Sequence, residues 1–204
     1  MKVLLSLSLM VGLGAIASAD VTFSLAKAIN GDVPPGPTPY VTATLKTVST
    51  GVVTLSVKNN GPAETYINTL VFNVNPYQPL NFTSISGPAA TVTQGLDSVN
   101  GGNQVKAGLF DIQFMYPTPN SGRLSGGLTS VYQITGNGIT ENSFLSKSVS
   151  DGSVAGGYFM AADIRGFGGS GSVGTTTINP VPEPASLAIL AMGGLGLLKR
   201  RKKA

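Results

Sequence analysis

The chain has neither histidine nor cysteine, which limits the chemistry that its side chains could carry out. Histidine is the usual base for a serine or cysteine nucleophile, and cysteine thiolates act as nucleophiles and hold structural zinc. The sequence therefore excludes histidine-activated nucleophiles, thiol catalysis and cysteine-based zinc sites. A serine–lysine arrangement remains in Ser146-Lys147-Ser148, but adjacent residues of a strand point to opposite faces. We expect Lys147 to be a solvated lysine on a polar edge.

Carboxylates are the remaining candidates for acid–base chemistry. Glycosidases use two of them facing each other across a cleft. The acidic residues concerned are too dispersed in the sequence to name such a pair: Asp97, Asp111, Glu141, Asp151 and Asp163. We expect structural or turn roles for each, and Asp151-Gly152 is typical of a turn. An acidic calcium-binding loop is also missing, so we predict no catalytic residue, no metal ligand and no enzyme activity.

One glycine-rich string, Gly166-Phe167-Gly168-Gly169-Ser170-Gly171, fits the G-x-G-x-x-G pattern of dinucleotide-binding loops. In such loops a helix follows, and its N-terminus binds the pyrophosphate. The next residues here, from Ser172 to Thr177, are unsuited to begin a helix. We therefore interpret the string as part of a flexible Gly/Ser/Thr linker over residues 166–180 and expect no cofactor.

Exposed aromatic rings could instead form a platform for stacking on sugars. The candidates are Tyr40, Tyr66, Tyr77 and Tyr132, since the chain has no tryptophan. The chain has eight Phe and six Tyr for a β core, so packing is the favoured use of most of them. Tyr77 lies in a long segment over residues 75–104 that we expect to be irregular, and it is the tyrosine most expected to be exposed.

The C-terminus, residues 181–204, is a tripartite segment. Val181-Pro182-Glu183-Pro184 is extended, because proline fixes its own φ and disfavours the α region before it, so an enzyme cleft could hold Glu183. Apolar residues 185–198 would form a helix of roughly 21 Å, shorter than the roughly 30 Å hydrocarbon core of a bilayer. Consecutive cations, which should stay cytoplasmic, then act as a membrane stop: Lys199, Arg200, Arg201, Lys202 and Lys203.

The N-terminus has the features of a secretory signal peptide over residues 1–19. Met1-Lys2 precedes an apolar stretch from Val3 to Ile16, and Ala17-Ser18-Ala19 is a small-residue cleavage site before Asp20. The sequence thus predicts export through the Sec translocon and cleavage by signal peptidase between Ala19 and Asp20.

The two termini also account for the basic character of the chain, whose formal net charge is +4. The body from Asp20 to Pro180 retains seven basic and eight acidic residues, a net charge of −1. Binding to phosphates needs a concentrated cationic surface, so we expect no nucleic-acid partner.

The body is long enough for one domain with its own core. It is rich in Val, Thr, Ser, Asn and Gly, without a capped 3.6-residue apolar period, and we predict an all-β, sandwich-like domain over residues 20–165. A signal helix and a single membrane helix would flank it. We expect seven to nine strands, among them 21–29, 40–48, 53–58, 66–74, 110–116, 128–135, 144–149 and 158–165.

The C-terminal segment closely resembles the PEP-CTERM sorting signal of bacterial exported proteins, since Val-Pro-Glu-Pro-Ala-Ser, a Gly-rich apolar run and a basic terminus occur in that order. This resemblance implies recognition of the Pro-Glu-Pro region by an exosortase, a multi-spanning membrane enzyme thought to remove the tail. At residues 54–61, 111–114 and 156–165 the body resembles a common group of PEP-CTERM proteins. That group has no agreed activity, so this second resemblance supports a β-rich domain only.

Resemblance to PEP-CTERM proteins also implies an association with exopolysaccharide and biofilm. We therefore expect an exported protein of the cell envelope or extracellular matrix with a structural or interaction role. It would first be anchored in the inner membrane with its tail in the cytoplasm, and its tail could later be cleaved or kept. The alternative is a carbohydrate-binding adhesin, and a glycan-cleaving enzyme is a distant third.

Overall fold

A computed structural model describes residues 20–101, 105–177 and 179–181 of the chain. The predicted signal helix and the predicted membrane helix, residues 185–198, lie outside these ranges. Within them, no helix is both long and apolar enough to cross a membrane. The described residues form thirteen strands, which confirms the all-β fold class but exceeds the seven to nine strands expected.

The strands form two antiparallel sheets that face each other. In chain order they are β1 (Asp20–Leu25), β2 (Lys27–Gly31), β3 (Val41–Ser49), β4 (Val52–Asn59), β5 (Tyr66–Phe72), β6 (Asn81–Ser86), β7 (Thr91–Val99), β8 (Phe110–Met115), β9 (Leu124–Ser125), β10 (Thr129–Thr135), β11 (Met160–Arg165), β12 (Ser170–Thr175) and β13 (Asn179–Val181). Sheet A has the order β13-β1-β3-β4-β10-β6. Sheet B has the order β2-β12-β11-β5-β8-β7, with β9 beside β5.

Alternating side chains of the two sheets form the main core. Strand β4 confirms the predicted strand 53–58, because Val53, Leu55 and Val57 are fully buried while Thr54 and Ser56 are partly exposed. Strands β1, β3 and β10 show the same alternation over much of their length. Burying a side chain of this size stabilises the fold by about 1.5–3 kcal/mol, so these apolar faces hold the sheets together.

Part of the outer face of sheet B is also covered. Val71, Phe110 and Ala161 pack there with Val99 and Val105 in a second apolar cluster. In strand β8, Phe110, Ile112 and Phe114 are fully buried, whereas Gln113 is partly exposed and Met115 is 51% exposed. The predicted strand over residues 110–116 is therefore confirmed, and Asp111 is the buried residue on its second face.

The segment 75–104, expected to be irregular, contains β6 and β7. Each strand lies at the edge of its sheet, β6 in sheet A and β7 in sheet B. Most of their side chains are exposed or half-exposed on both faces, while Phe82 and Val92 pack against the main core. Such edge strands lack the apolar alternation that identifies a half-buried strand, and this explains the error.

Two further strand predictions need correction. The predicted strand 21–29 is divided, because the chain leaves sheet A after Leu25 and enters sheet B at Lys27. The predicted strand 144–149 is a short 3-10 helix, Glu141–Phe144, followed by a single bridge between Val149 and Leu109. Phe144 is fully buried and lies 5.9 Å from the Phe72 ring, so the apolar residue there marks a core contact outside any strand.

The prediction of a linker over residues 166–180 is also wrong, because β12 and the first two residues of β13 lie within that range. Strand β12 pairs with β2 on one side and β11 on the other, and its Val173 is fully buried. Glycine serves close packing here, since a Cβ on Gly171 would lie 1.8 Å from the Asp32 carbonyl oxygen. Small residues are common both in linkers and in closely packed strands, so composition alone could not distinguish the two.

Tyr116 lies in the main core, and its hydroxyl group has no hydrogen-bond partner within the described ranges. Burial raises the pKa of this phenol well above its usual range, and the nearby Tyr132 adds to the shift. The unfolded tyrosine has a pKa of about 10, so the folded state keeps the proton to higher pH. The contribution of this group to stability is therefore complete below about pH 10 and is lost as the pH rises further.

We expect Tyr116→Phe to raise the free energy of unfolding by about 1 kcal/mol at neutral pH, because it removes a buried polar group that lacks a partner. The variant should also lose less stability than the parent protein when the pH is raised above about 10. Urea unfolding at neutral and alkaline pH measures both effects. Tyr77→Phe, at a half-buried position, is the matched control. An unchanged alkaline loss in Tyr116→Phe would contradict this account.

Candidate functional site

The predicted sorting segment begins within the fold, in strand β13. Val181 pairs with Asp20, and Asn179 pairs with Thr22, in an antiparallel ladder between β13 and β1. Because β13 lies at the edge of sheet A, Pro180 is tolerated there although it has no N–H to donate. The structure thus places the predicted first residue of the mature chain beside the start of the sorting segment, a pairing that the sequence analysis missed.

Most of the predicted sorting and cleavage residues lie outside the described ranges, and their roles remain predictions. They are Ala17, Ala19, Pro182, Glu183, Pro184, Lys199, Arg200, Arg201, Lys202 and Lys203. Asp20 is described, and its Oδ1 lies 3.5 Å from Nζ of Lys46 on β3. Both side chains are partly exposed, so this ion pair contributes little to stability.

The serine–lysine arrangement at residues 146–148 has structural contacts. The Ser148 hydroxyl is buried and donates to the Ala107 carbonyl oxygen at 2.6 Å. It also accepts a hydrogen bond from the Tyr158 backbone N–H at 3.1 Å. The Lys147 ammonium lies 4.9 Å from the centroid of the Phe159 ring. These contacts bind a loop to the sheet and give Ser148 no base that could activate it.

Two of the five dispersed carboxylates come close together in the structure. Asp111 is buried, and its two oxygens accept hydrogen bonds from the backbone N–H groups of Val74, at 3.0 Å, and Asp97, at 2.9 Å. Partial burial raises the pKa of the Asp97 carboxyl, and the charge of Asp111 raises it further. The sequence did not predict this proximity, but Asp111 has the expected structural role because it binds the backbone just after β5 and within β7.

Glu141 and Asp151 also have structural roles. Glu141 is buried and accepts hydrogen bonds from the Thr47 hydroxyl and from Asn142 Nδ2. Asp151 Oδ1 accepts hydrogen bonds from the backbone N–H groups of Val154, at 2.6 Å, and Ser153, at 2.8 Å. These bonds lower the pKa of the Asp151 carboxyl and confirm the predicted turn.

Asp163 lies on the outer face of sheet B, outside the second apolar cluster, and this distinguishes it from the other acids. It is only 1% exposed, and its Oδ2 accepts hydrogen bonds from Arg165 Nε at 2.7 Å and Asn68 Nδ2 at 3.1 Å. Arg165 is itself partly exposed. A buried carboxylate is costly unless it is paired, so Asp163 and Arg165 hold each other in one arrangement.

Arg165 lines an open polar cleft of about 570 Å³ at the end of the β11–β12 hairpin. We call it the hairpin cleft, and its other lining residues are Asp32, Tyr66, Ser170 and the turn glycines Gly166, Gly168 and Gly169. Register brings these residues together, since Arg165 is the cross-strand partner of both Tyr66 and Ser170. The dinucleotide-like string thus runs from the hairpin turn into β12, and residues 172–175 continue that strand instead of beginning a helix.

The four tyrosines proposed as a sugar platform have different environments. Tyr40 and Tyr132 are buried, as expected for core residues. Tyr77 packs against the main core and is half-buried, so its expected exposure was wrong. Tyr66 lines the hairpin cleft, and the Arg123 guanidinium lies 4.2 Å from the centroid of its ring. No single platform therefore forms.

Sequence reasoning missed Asp32, Arg123 and Arg165 as site residues. The turn glycines that border them were a usable signal, because glycine in a hairpin turn lets neighbouring side chains and ligands approach the backbone. The sequence analysis interpreted those glycines as part of a linker and therefore did not predict a site beside them.

Comparison with known proteins identifies the C-terminal segment. Residues 180–203 match the family model of the PEP-CTERM protein-sorting motif. Neither a curated protein nor a solved structure matches the chain significantly. The matched residues begin inside β13 and include the whole Pro-Glu-Pro segment and the basic terminus. The chain therefore carries a PEP-CTERM protein-sorting motif, which marks it as an exported protein and an exosortase substrate.

Proposed function

We propose that this protein is a structural or interaction component of the cell envelope or extracellular matrix, linked to exopolysaccharide or biofilm. The observation that carries the proposal is the continuity between the sorting motif and the fold. Residues 180–203 match the motif, and the first two of them belong to strand β13. An exosortase acting on the Pro-Glu-Pro segment would therefore act next to the folded β domain, and would release that domain or leave it anchored.

The side chains of the described domain support a non-enzymatic role. The buried acids Asp111 and Glu141 bind backbone or neighbouring side-chain donors, and Asp163 binds Arg165. The body carries seven basic and eight acidic residues. A nearly neutral surface of this kind suits contact with polysaccharide or with other copies of the protein better than contact with nucleic acid.

The second candidate function is that of a carbohydrate-binding adhesin. The hairpin cleft favours it, because the cleft is polar, open to solvent and lined by a cation, a carboxylate, hydroxyl groups and an aromatic ring. A glycan-cleaving enzyme remains a distant third, and it would require turnover that is lost when one carboxylate is replaced.

We expect Glu183→Ala to block exosortase processing, so that the envelope protein keeps its tail mass or is no longer retained. Glu183 is the charged residue of the Pro-Glu-Pro segment, and its loss removes the group that a recognition cleft would bind. Mass spectrometry of the envelope protein and of the culture medium measures both effects. Glu64→Ala, at an exposed position of the domain, is the matched control. An unchanged mass and unchanged retention in Glu183→Ala would contradict exosortase processing.

The matrix role has a separate test. A strain that lacks the protein should retain less exopolysaccharide in its sedimented matrix, and expression of the full chain should restore it. Equal polysaccharide retention with and without the protein would contradict the proposed link.

A further inference from the structure

The outer face of sheet B is divided into an apolar part and a polar part. The second apolar cluster, which includes Val71 and Phe110, covers one part. The other part carries Asp163, Asn68 and the hairpin cleft. A polar concave surface on one sheet of a sandwich is a place where a hydrophilic ligand could bind without disturbing the core between the sheets.

The Arg165 guanidinium is positioned to donate hydrogen bonds to a ligand in the hairpin cleft. Its Nε donates a hydrogen bond to Asp163, which is 1% exposed and also accepts one from Asn68. This buried carboxylate fixes the orientation of the Arg165 guanidinium plane. In the described part of the chain, its two terminal amino groups have no hydrogen-bond partner, and Arg165 lines the cleft. A fixed guanidinium with a free pair of amino groups matches a carboxylate, which it can bind through two parallel hydrogen bonds.

Asp32 supplies an acceptor in the same cleft. Its backbone N–H donates to the Ser170 carbonyl oxygen at 3.0 Å, which fixes the residue beside the hairpin. Within the described ranges its carboxylate has no partner, and the residue is exposed. A Cβ on Gly169 would lie 2.3 Å from Asp32 Oδ2, so the glycine leaves the room that this carboxylate occupies. Asp32 can therefore accept hydrogen bonds from ligand hydroxyl groups.

Tyr66 and Arg123 complete the arrangement. Arg123 lies over the Tyr66 ring, and Tyr66 is the cross-strand neighbour of Arg165. Two guanidinium groups thus lie near Tyr66, whereas Asp32 follows β2, two strands away from β11 in sheet B. The cleft thus has cations near Tyr66 and a carboxylate at Asp32. A ligand with a carboxylate at one end and hydroxyl groups at the other would match this arrangement of charges.

We propose that the hairpin cleft binds a uronate-containing saccharide, with its carboxylate on Arg165 and its ring hydroxyls on Asp32. The cleft of about 570 Å³ lies in the usual range for small-molecule sites, about 300–1,000 Å³. This inference rests on the proposed function, because it names the class of polysaccharide that the exported domain contacts.

Calorimetric titration with trigalacturonate tests the proposal, with neutral galactotriose as the matched ligand. The protein is purified from the envelope of cells that express the full chain. We expect trigalacturonate to bind at least tenfold more tightly than galactotriose. Arg165→Lys keeps the charge beside Asp163 but loses the two-pronged donor, and it should weaken trigalacturonate binding at least fivefold. Asp32→Ala should weaken binding of both saccharides.

Lys58→Gln removes an exposed cation from β4 in the other sheet and should leave trigalacturonate binding unchanged. Failure of the parent protein to bind trigalacturonate at millimolar concentration would overturn the proposal. Equal affinity for the two saccharides would overturn the uronate assignment, and unaltered binding by Arg165→Lys would overturn the role of Arg165. The mass of the processed protein, measured on the same samples, reports exosortase processing separately, so loss of saccharide binding with a normal mass leaves the proposed processing of this substrate intact.

Discussion

Replacing Phe114 with alanine is expected to lower the free energy of unfolding by about 4 kcal/mol, within the range of about 3–5 kcal/mol for large aromatic deletions in cores. Phe114 is fully buried on β8. Its ring centroid lies 5.4 Å from those of Phe72 and Phe82 and 4.7 Å from that of Tyr132. These neighbours belong to both sheets, so the cavity would open where sheet A and sheet B meet.

Urea unfolding followed by tyrosine fluorescence measures this change. Val48→Ala, at a side chain that is 62% exposed, is the surface control and should change the free energy of unfolding by less than about 0.5 kcal/mol. A loss below about 2 kcal/mol for Phe114→Ala would mean that the neighbouring aromatic rings close the cavity.

Ending the chain at Arg165 is expected to abolish cooperative folding, whereas ending it at Val181 should preserve it. The shorter chain lacks β12, which pairs with β2 and β11, and β13, which pairs with β1. Three strand ladders are therefore lost, and the backbone groups of β11 lose their partners on one side. The described residues belong to one compact unit, and the longer chain retains all of them.

Circular dichroism during thermal unfolding distinguishes the two chains, both produced without residues 1–19. A single sharp transition in the chain that ends at Val181, and none in the chain that ends at Arg165, is the expected result. If the two chains melted alike, residues 166–181 would be a tether after all.

The strands that the sequence predicted well are those with one dry face and one wet face. In β4, Val53, Leu55 and Val57 alternate with polar residues, and this alternation predicts which side chains are buried. The edge strands β6 and β7 carry no such pattern, because water reaches both of their faces. Strand β8 was predicted for the same reason as β4, since Phe110, Ile112 and Phe114 are buried while Met115 is exposed.

The hairpin cleft could not be predicted because its residues are far apart in the chain. Asp32, Tyr66 and Arg165 come from three different strand ends, and only the order of sheet B makes them neighbours. The pairing of Asp20 with Val181 is a contact of the same kind between the two ends of the domain. Strand order is decided by many weak contacts between distant segments, and no local pattern reports it.

The sequence by itself determined the sorting motif, which indicates export, together with the missing histidine and cysteine chemistry and the β class, because these depend on residue types and on local order. Only the tertiary structure decided that residues 170–175 form a strand, that the sorting motif begins inside sheet A, and that Asp163 fixes Arg165 in a cleft. The physical reason is that a glycine- or serine-rich segment has no conformation of its own. Hydrogen bonding to neighbouring strands gives it one.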